Sequence, residues 1–159
     1  PSKKRQRKYK RWQKASTSNF RCGNCLSMVF NEAAIGTVQR NHCNTCLWSK
    51  HVDTKPGNRD SDCQSRMEPL ALTFKHAGVD KYGRERVGDV MLVHICKGCE
   101  DININRIAGD DLSSVIMDIF NKSLSLDIST KEAIRQNGIE ILTAEDRETL
   151  EIAIFGSPQ

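Results

Sequence analysis

Three short cysteine pairs constrain this chain more than any other feature. Cys22-x-x-Cys25, Cys43-x-x-Cys46 and Cys96-x-x-Cys99 share one spacing, and Cys63 stands alone. Seven cysteines leave one thiol over in any closed disulfide framework. Thiolates two residues apart instead suit a tetrahedral metal ion. Zinc takes four ligands, so seven sulfurs and one histidine complete two closed sites. His42, His51, His76 and His94 are available, and His51 is best placed, between Cys46 and Cys63.

Two pairings satisfy this count. A sequential scheme joins Cys22, Cys25, Cys43 and Cys46 and leaves His51, Cys63, Cys96 and Cys99. A nested scheme joins Cys22, Cys25, Cys96 and Cys99 around a local site of Cys43, Cys46, His51 and Cys63. The nested scheme is favoured. Its outer pairs both follow strand-like residues, as in a zinc ribbon, and its inner four are close in sequence, so closing them costs little loop entropy. Either way the two zinc ions are structural, because eight good ligands leave no open position for catalysis. Redox chemistry at a Cys-x-x-Cys pair would want a thioredoxin-like βαβ context, which the sequence lacks.

Composition agrees with a domain that needs such staples. Only 38% of the 159 residues are hydrophobic and 6% aromatic, too little for a large apolar core. The sequence shows no signal-like stretch and no long apolar run, so no membrane association is expected. Repeated metal-type cysteine pairs point to a reducing compartment, and the expected location is cytoplasmic. The net charge of +4 hides a gradient. Residues 1–21 hold nine Lys/Arg and no acid, whereas residues 111–159 hold four basic and nine acidic residues.

The expected fold class is α+β. A small zinc-ribbon-like β domain with two zinc sites spans 20–110. A basic, disordered N-terminal arm covers 1–19, and a short helical extension covers 111–159. In the β domain, residues 20–30 read as strand, knuckle and strand, and 33–39 as a possible strand. Residues 53–69 carry loop and turn signals, including Pro56-Gly57-Asn58 and Pro69. Strands are expected at 70–75 and 87–95, with a turn at Tyr82-Gly83. In the extension, Leu112, Val115, Ile116 and Ile119 follow helical spacing, with Asp110 or Asp111 as cap. Ser129-x-x-Glu132 reads as a capping box for a helix ended by Gly138, residues 139–142 as an extended stretch, and Thr143-x-x-Asp146 as the start of a helix closed by Gly156.

The stretch Arg40-Asn41-His42-Cys43-Asn44-Thr45-Cys46-Leu47-Trp48-Ser49-Lys50-His51-Val52-Asp53 resembles the family named after its RNHCP motif. Pro56-Gly57-Asn58-Arg59, Cys63, Met67-Glu68-Pro69, His94-x-Cys96-x-x-Cys99 and Asn105-Arg106-Ile107-Ala108 support the resemblance, which covers roughly residues 20–110. Asn44 stands where the name-giving motif has Pro, a change that a metal knuckle tolerates. The resemblance implies a zinc-binding domain and speaks to fold and metal more than to activity.

Function is read from what surrounds the metal sites. Lys3, Lys4, Arg5, Arg7, Lys8, Tyr9, Lys10, Arg11, Trp12 and Lys14 mix cations with aromatics, which suits phosphate pairing and base stacking. Arg40, Asn41 and His42 precede one knuckle and Asn105 and Arg106 follow another, side chains able to bind phosphates and base edges. The competing reading of these residues is support for the metal loops. Trp48 is expected to cover the inner zinc site. The expectation is a non-enzymatic zinc protein that binds structured RNA, with ribosomal RNA and neighbouring ribosomal proteins as partners and no small-molecule substrate. A DNA-binding or protein-interaction zinc module is the alternative. A nuclease using His42, His94, Asp53 and Asp89 is less favoured, because no catalytic spacing links them.

Overall fold

The structure, a computed structural model, describes residues 19–30, 41–51, 62–79, 81–83 and 85–157. The basic residues of 1–18, Arg40, the possible strand at 33–39, Asp53 and the Pro56-Gly57-Asn58 signal lie outside them.

Phe20–Arg21 (β1) and Met28–Val29 (β2) flank the first cysteine pair and zip antiparallel, Phe20 opposite Val29. After the second pair, Ser49–Lys50 (β3) opens a four-stranded sheet with Arg66–Val79 (β4), Glu85–Cys96 (β5) and Ile102–Arg106 (β6). Its order is β3-β4-β5-β6, and every neighbouring pair is antiparallel. The strands expected at 70–75 and 87–95 are both present and longer, and Gly83 turns between them with a positive φ of 79°. Pro69 is not in a loop as expected. It sits inside β4, beside a register shift between Pro69 and Ala71. On its other side β4 pairs with β3 only at Arg66 and Met67, so the missing N–H of Pro69 interrupts no ladder there. Strand β6 was not expected. Its ININR sequence alternates with period 2, but the pattern is short and half polar.

Strand alternation sends apolar side chains to both faces of this sheet. Leu72, Val90 and Leu92 join Leu47 and the helical residues Ile116, Ile119, Phe120 and Leu150 in one core cluster. Ala71 and Val93 pack with Ile134 in another. The first and third helices, Ser113–Ser123 (α1) and Arg147–Phe155 (α3), therefore supply one cluster and Ile128–Gln136 (α2) the other. Each such side chain contributes about 1.5–3 kcal/mol on burial, so the helical extension and the sheet share their stability. The stretch 139–142 runs along β4, with Leu142 N donating to Leu72 O at 2.9 Å and Thr73 Oγ1 to Glu140 O at 2.6 Å.

Most helix limits follow the sequence signals, with two corrections. Thr143 and Asp146 form the expected capping box, here on a 3-10 turn at Ala144–Asp146 that leads into α3. Gly138 and Gly156 end their helices with positive φ of 75° and 80°. The Ser129 box does not form. Asp127 is the cap of α2 and accepts from Thr130 N, while Glu132 pairs with Arg135. No side chain caps α1, whose first turn follows Leu112. Asp111 instead accepts a hydrogen bond from His42.

Candidate metal centres

Each cysteine pair folds by the same local rule. Cys22 N donates to Ser27 O at 2.8 Å, Cys43 N to Trp48 O at 2.9 Å and Cys96 N to Asp101 O at 2.8 Å. The fifth residue of each loop closes it: Leu26 N, Leu47 N and Glu100 N donate back to the carbonyls of Cys22, Cys43 and Cys96. That closure needs left-handed backbone, and Leu26, Leu47 and Glu100 have φ of 64°, 63° and 65°. Non-glycine residues rarely adopt it, and here the metal-loop geometry imposes it three times. Amides turned inward reach the first sulfur of each pair: Asn24 N to Cys22 Sγ at 3.3 Å, Thr45 N to Cys43 Sγ at 3.3 Å and Gly98 N to Cys96 Sγ at 3.4 Å. Such N–H donors stabilise thiolate.

The folded chain gathers these ligands into two clusters, Cys22, Cys25, Cys43 and Cys46 in one, His51, Cys63, Cys96 and Cys99 in the other. The eight side chains are those expected, but the pairing is sequential, not nested. Sheet register is the reason. Lys50 faces Arg66 and Met67 faces Cys96, so His51 and Cys63, just beyond these pairs, arrive at the end of the sheet where the third knuckle begins. His51 and residues 64–65 continue the ladder, with His51 N donating to Ser65 O and Gln64 N to His51 O, both at 2.9 Å. Strands follow the first and second knuckles as well, β2 after Cys25 and β3 after Cys46, so strand-like flanks do not decide the pairing. Trp48 accordingly covers no inner site; Arg66 lies 5.7 Å from its ring centroid.

The geometry fits zinc. Cys22 and Cys46 sulfurs lie 3.5 Å apart, and Cys25–Cys43 and Cys63–Cys96 sulfurs 3.6 Å. A tetrahedron with bonds of about 2.3 Å has edges of about 3.8 Å, whereas a disulfide would be about 2.05 Å. His51 Nδ1 lies 3.2 Å from Cys99 Sγ. Its Nε2 is buried and lacks a hydrogen bond, but faces Asp101 Oδ2 at 3.6 Å. A carboxylate on this side of the ring is placed to attract the N–H of a metal-binding imidazole. Gly98 is required by close approach: a Cβ there would meet Ser65 Oγ at 2.2 Å and Cys63 Sγ at 3.4 Å. The thiols differ in proton affinity. Hydrogen bonding by the Ser27 side chain lowers Cys25 to about 6, and that by Ser65 lowers Cys63 to about 6, whereas burial pushes Cys46 up to about 12. Metal binding at the first site, which must deprotonate Cys46, therefore releases protons.

Residues 17–117 match the family model of the RNHCP domain. The chain belongs to the RNHCP domain family. Neither the curated proteins nor the solved structures contain a match to it. The RNHCP match runs into α1, and the structure shows what that stretch does. His42, next to Cys43, donates from Nε2 to Asp111 Oδ2 at 2.7 Å, and the same oxygen accepts from Ala108 N at 2.7 Å. Leu112 N donates to Asn44 O at 3.1 Å. The start of α1 is thus fastened to the second knuckle, and Asp111 serves this buried contact in place of a helix cap. Beside it, fully buried His94 donates from Nε2 to Leu47 O at 2.7 Å and accepts from Asn105 Nδ2 at 3.1 Å. Burial holds His94 low, at about 4, so it is neutral and bridges the chain just after Cys46 to the strand just before Cys96.

Of the polar residues expected to face RNA, His42 and Asn105 therefore point into the protein. Exposed Arg106 lies 3.2 Å from Asp89. Asn41 is half-buried. Sequence reasoning missed the supporting roles of Asp101 and Asp111. Asp101 had a usable signal, two residues past Cys99, whereas Asp111 meets His42 only through the fold. No helix among the described residues is long and apolar enough to cross a membrane.

Proposed function

We propose that this RNHCP protein is a non-enzymatic, zinc-stabilised scaffold that binds structured RNA, with a ribosomal particle as its setting. One observation carries the reading: residues 1–21 hold nine Lys/Arg and no acid, and they run directly into β1 of the first zinc knuckle. A cationic arm with Tyr9 and Trp12 gains affinity from phosphates and stacking, and a rigid knuckle fixes where it begins. The metal sites support a non-catalytic role, because each gathers four protein ligands. His42 and His94, the histidines of the nuclease alternative, are buried and committed to Asp111, Leu47 and Asn105.

The test is binding of a structured RNA and of duplex DNA at rising salt, for the full chain and a variant lacking residues 1–14. The expected result is preference for RNA, with a steep salt dependence that the deletion flattens. Equal or better binding to duplex DNA favours the DNA-module alternative. Metal-dependent RNA cleavage overturns the non-enzymatic reading. Sedimentation of cell extract with and without RNase then tests the particle: comigration with a ribosomal subunit that RNase abolishes is the expected outcome.

A further inference from the structure

The first two knuckles are built alike and used differently. Leu26 and Leu47 occupy the same place in each loop, with φ of 64° and 63°. Leu47 is fully buried in the main core, and its carbonyl accepts from His94. Leu26 is 62% exposed, and its carbonyl accepts from Arg21 Nη1 at 3.1 Å. The exposure continues along the hairpin: Met28 is 44% and Phe30 53% exposed, while Val29 between them is fully buried. Strand alternation places Met28 and Phe30 on one face. Three large apolar side chains within five residues are thus exposed, at positions where the second knuckle buries Leu47, Ser49 and His51.

The charge of the sequence leading into this hairpin selects its occupant. Nine Lys/Arg lie between residues 3 and 21, and the first carboxylate of the chain is Glu32. Residues 1–31 carry no acidic side chain, so this segment of the chain attracts a polyanion. Among polyanions, RNA also presents flat, unstacked bases for Phe30 and Met28 to pack on, as single-stranded loops do. Exposed Arg21 sits at the edge of the same hairpin. We infer that Leu26, Met28 and Phe30 of the first zinc hairpin form a base-packing platform for unpaired nucleotides of a structured RNA, with Arg21 on an adjoining phosphate. This rests on the RNA-binding reading above, and it moves the contact surface from the Arg40–His42 and Asn105–Arg106 segments to the first knuckle.

The experiment compares the full chain with a Leu26→Asn, Met28→Ser, Phe30→Ser variant, using a stem-loop RNA with an unpaired loop. Asn tolerates the left-handed backbone at 26, and the other two side chains are exposed, so the fold is kept; two zinc per chain and unchanged circular dichroism verify this. An Ile152→Ser, Phe155→Ser variant removes exposed apolar residues elsewhere, 47% and 41% exposed, as a control. The expected result is a loss of roughly tenfold in RNA affinity for the hairpin variant only, with an unchanged slope of log Kd against log salt, because stacking releases no counterions. Full affinity in the hairpin variant overturns the platform and leaves arm-driven RNA binding standing. No RNA binding by the native chain overturns both. Loss of binding to vesicles containing phosphatidylserine, or loss of self-association, with RNA affinity intact, reassigns the patch to a membrane or to a second copy.

Discussion

The two zinc sites use similar ligands and stand on different foundations. The site of Cys22, Cys25, Cys43 and Cys46 joins the first hairpin to the second knuckle, and the cluster around it is small: Cys22, Val29 and Cys43, with Phe20, Cys25 and Cys46. The site of His51, Cys63, Cys96 and Cys99 closes the end of the long sheet, where β4 and β5 enter both core clusters. The first hairpin thus depends on its metal, whereas the second metal clamps strands that the core already holds. Dependence on metal rises where buried apolar surface runs out.

The largest expected effect breaks this comparison most directly. Zinc-coupled folding free energies are on the order of 10 kcal/mol, so Cys22→Ser and Cys96→Ser are each expected to leave one zinc per chain instead of two. Cys22→Ser is expected to keep the helical circular dichroism and lose protection of the amides of β1 and β2, whereas Cys96→Ser lowers the melting temperature of the whole domain. Equal global destabilisation by both would show that the sites do not differ as argued. Phe120→Ala, in the core cluster far from either ligand set in sequence, is expected to cost about 3–5 kcal/mol in denaturant unfolding with both zinc ions retained.

Next comes the buried link to α1. His42→Ala removes the imidazole donor and leaves the buried Asp111 carboxylate with the Ala108 amide, and a cost of about 3 kcal/mol is expected. Hydrogen exchange should then rise at the start of α1 before it rises in α2. His94 sharpens the comparison through pH. Its value of about 4 in the fold lies below the ordinary 6.5, so the unfolded chain binds the extra proton between these values. Stability is therefore undiminished above pH 6.5 and falls as pH drops towards 4, by about 1.4 kcal/mol per unit. At saturating zinc, His94→Gln is expected to flatten this slope. The smallest effect belongs to Asp101→Asn. Losing the carboxylate that faces His51 Nε2 is expected to weaken only the second site, by about tenfold or somewhat more in competition with a chelator.

Some of this architecture is written locally. The Cys-x-x-Cys loops close through bonds spanning five or six residues, so their spacing alone identifies knuckles, a metal of zinc type and a ligand set that includes His51. Helix ends at Gly138 and Gly156, and the Thr143–Asp146 box, are equally local. Other features depend on partners distant in sequence. Which knuckle shares a metal with which was decided by the register of β3, β4 and β5. Pro69 was tolerated inside β4 because β3 is too short to pair beside it. His42 and Asp111 stand 69 positions apart and meet only because α1 docks on the second knuckle. A chain determines by itself what its short-range hydrogen bonds can close. Ligand pairing and buried polar contacts were left to the tertiary structure, because loop entropy separates such alternatives by little and the packing of the sheet chooses among them.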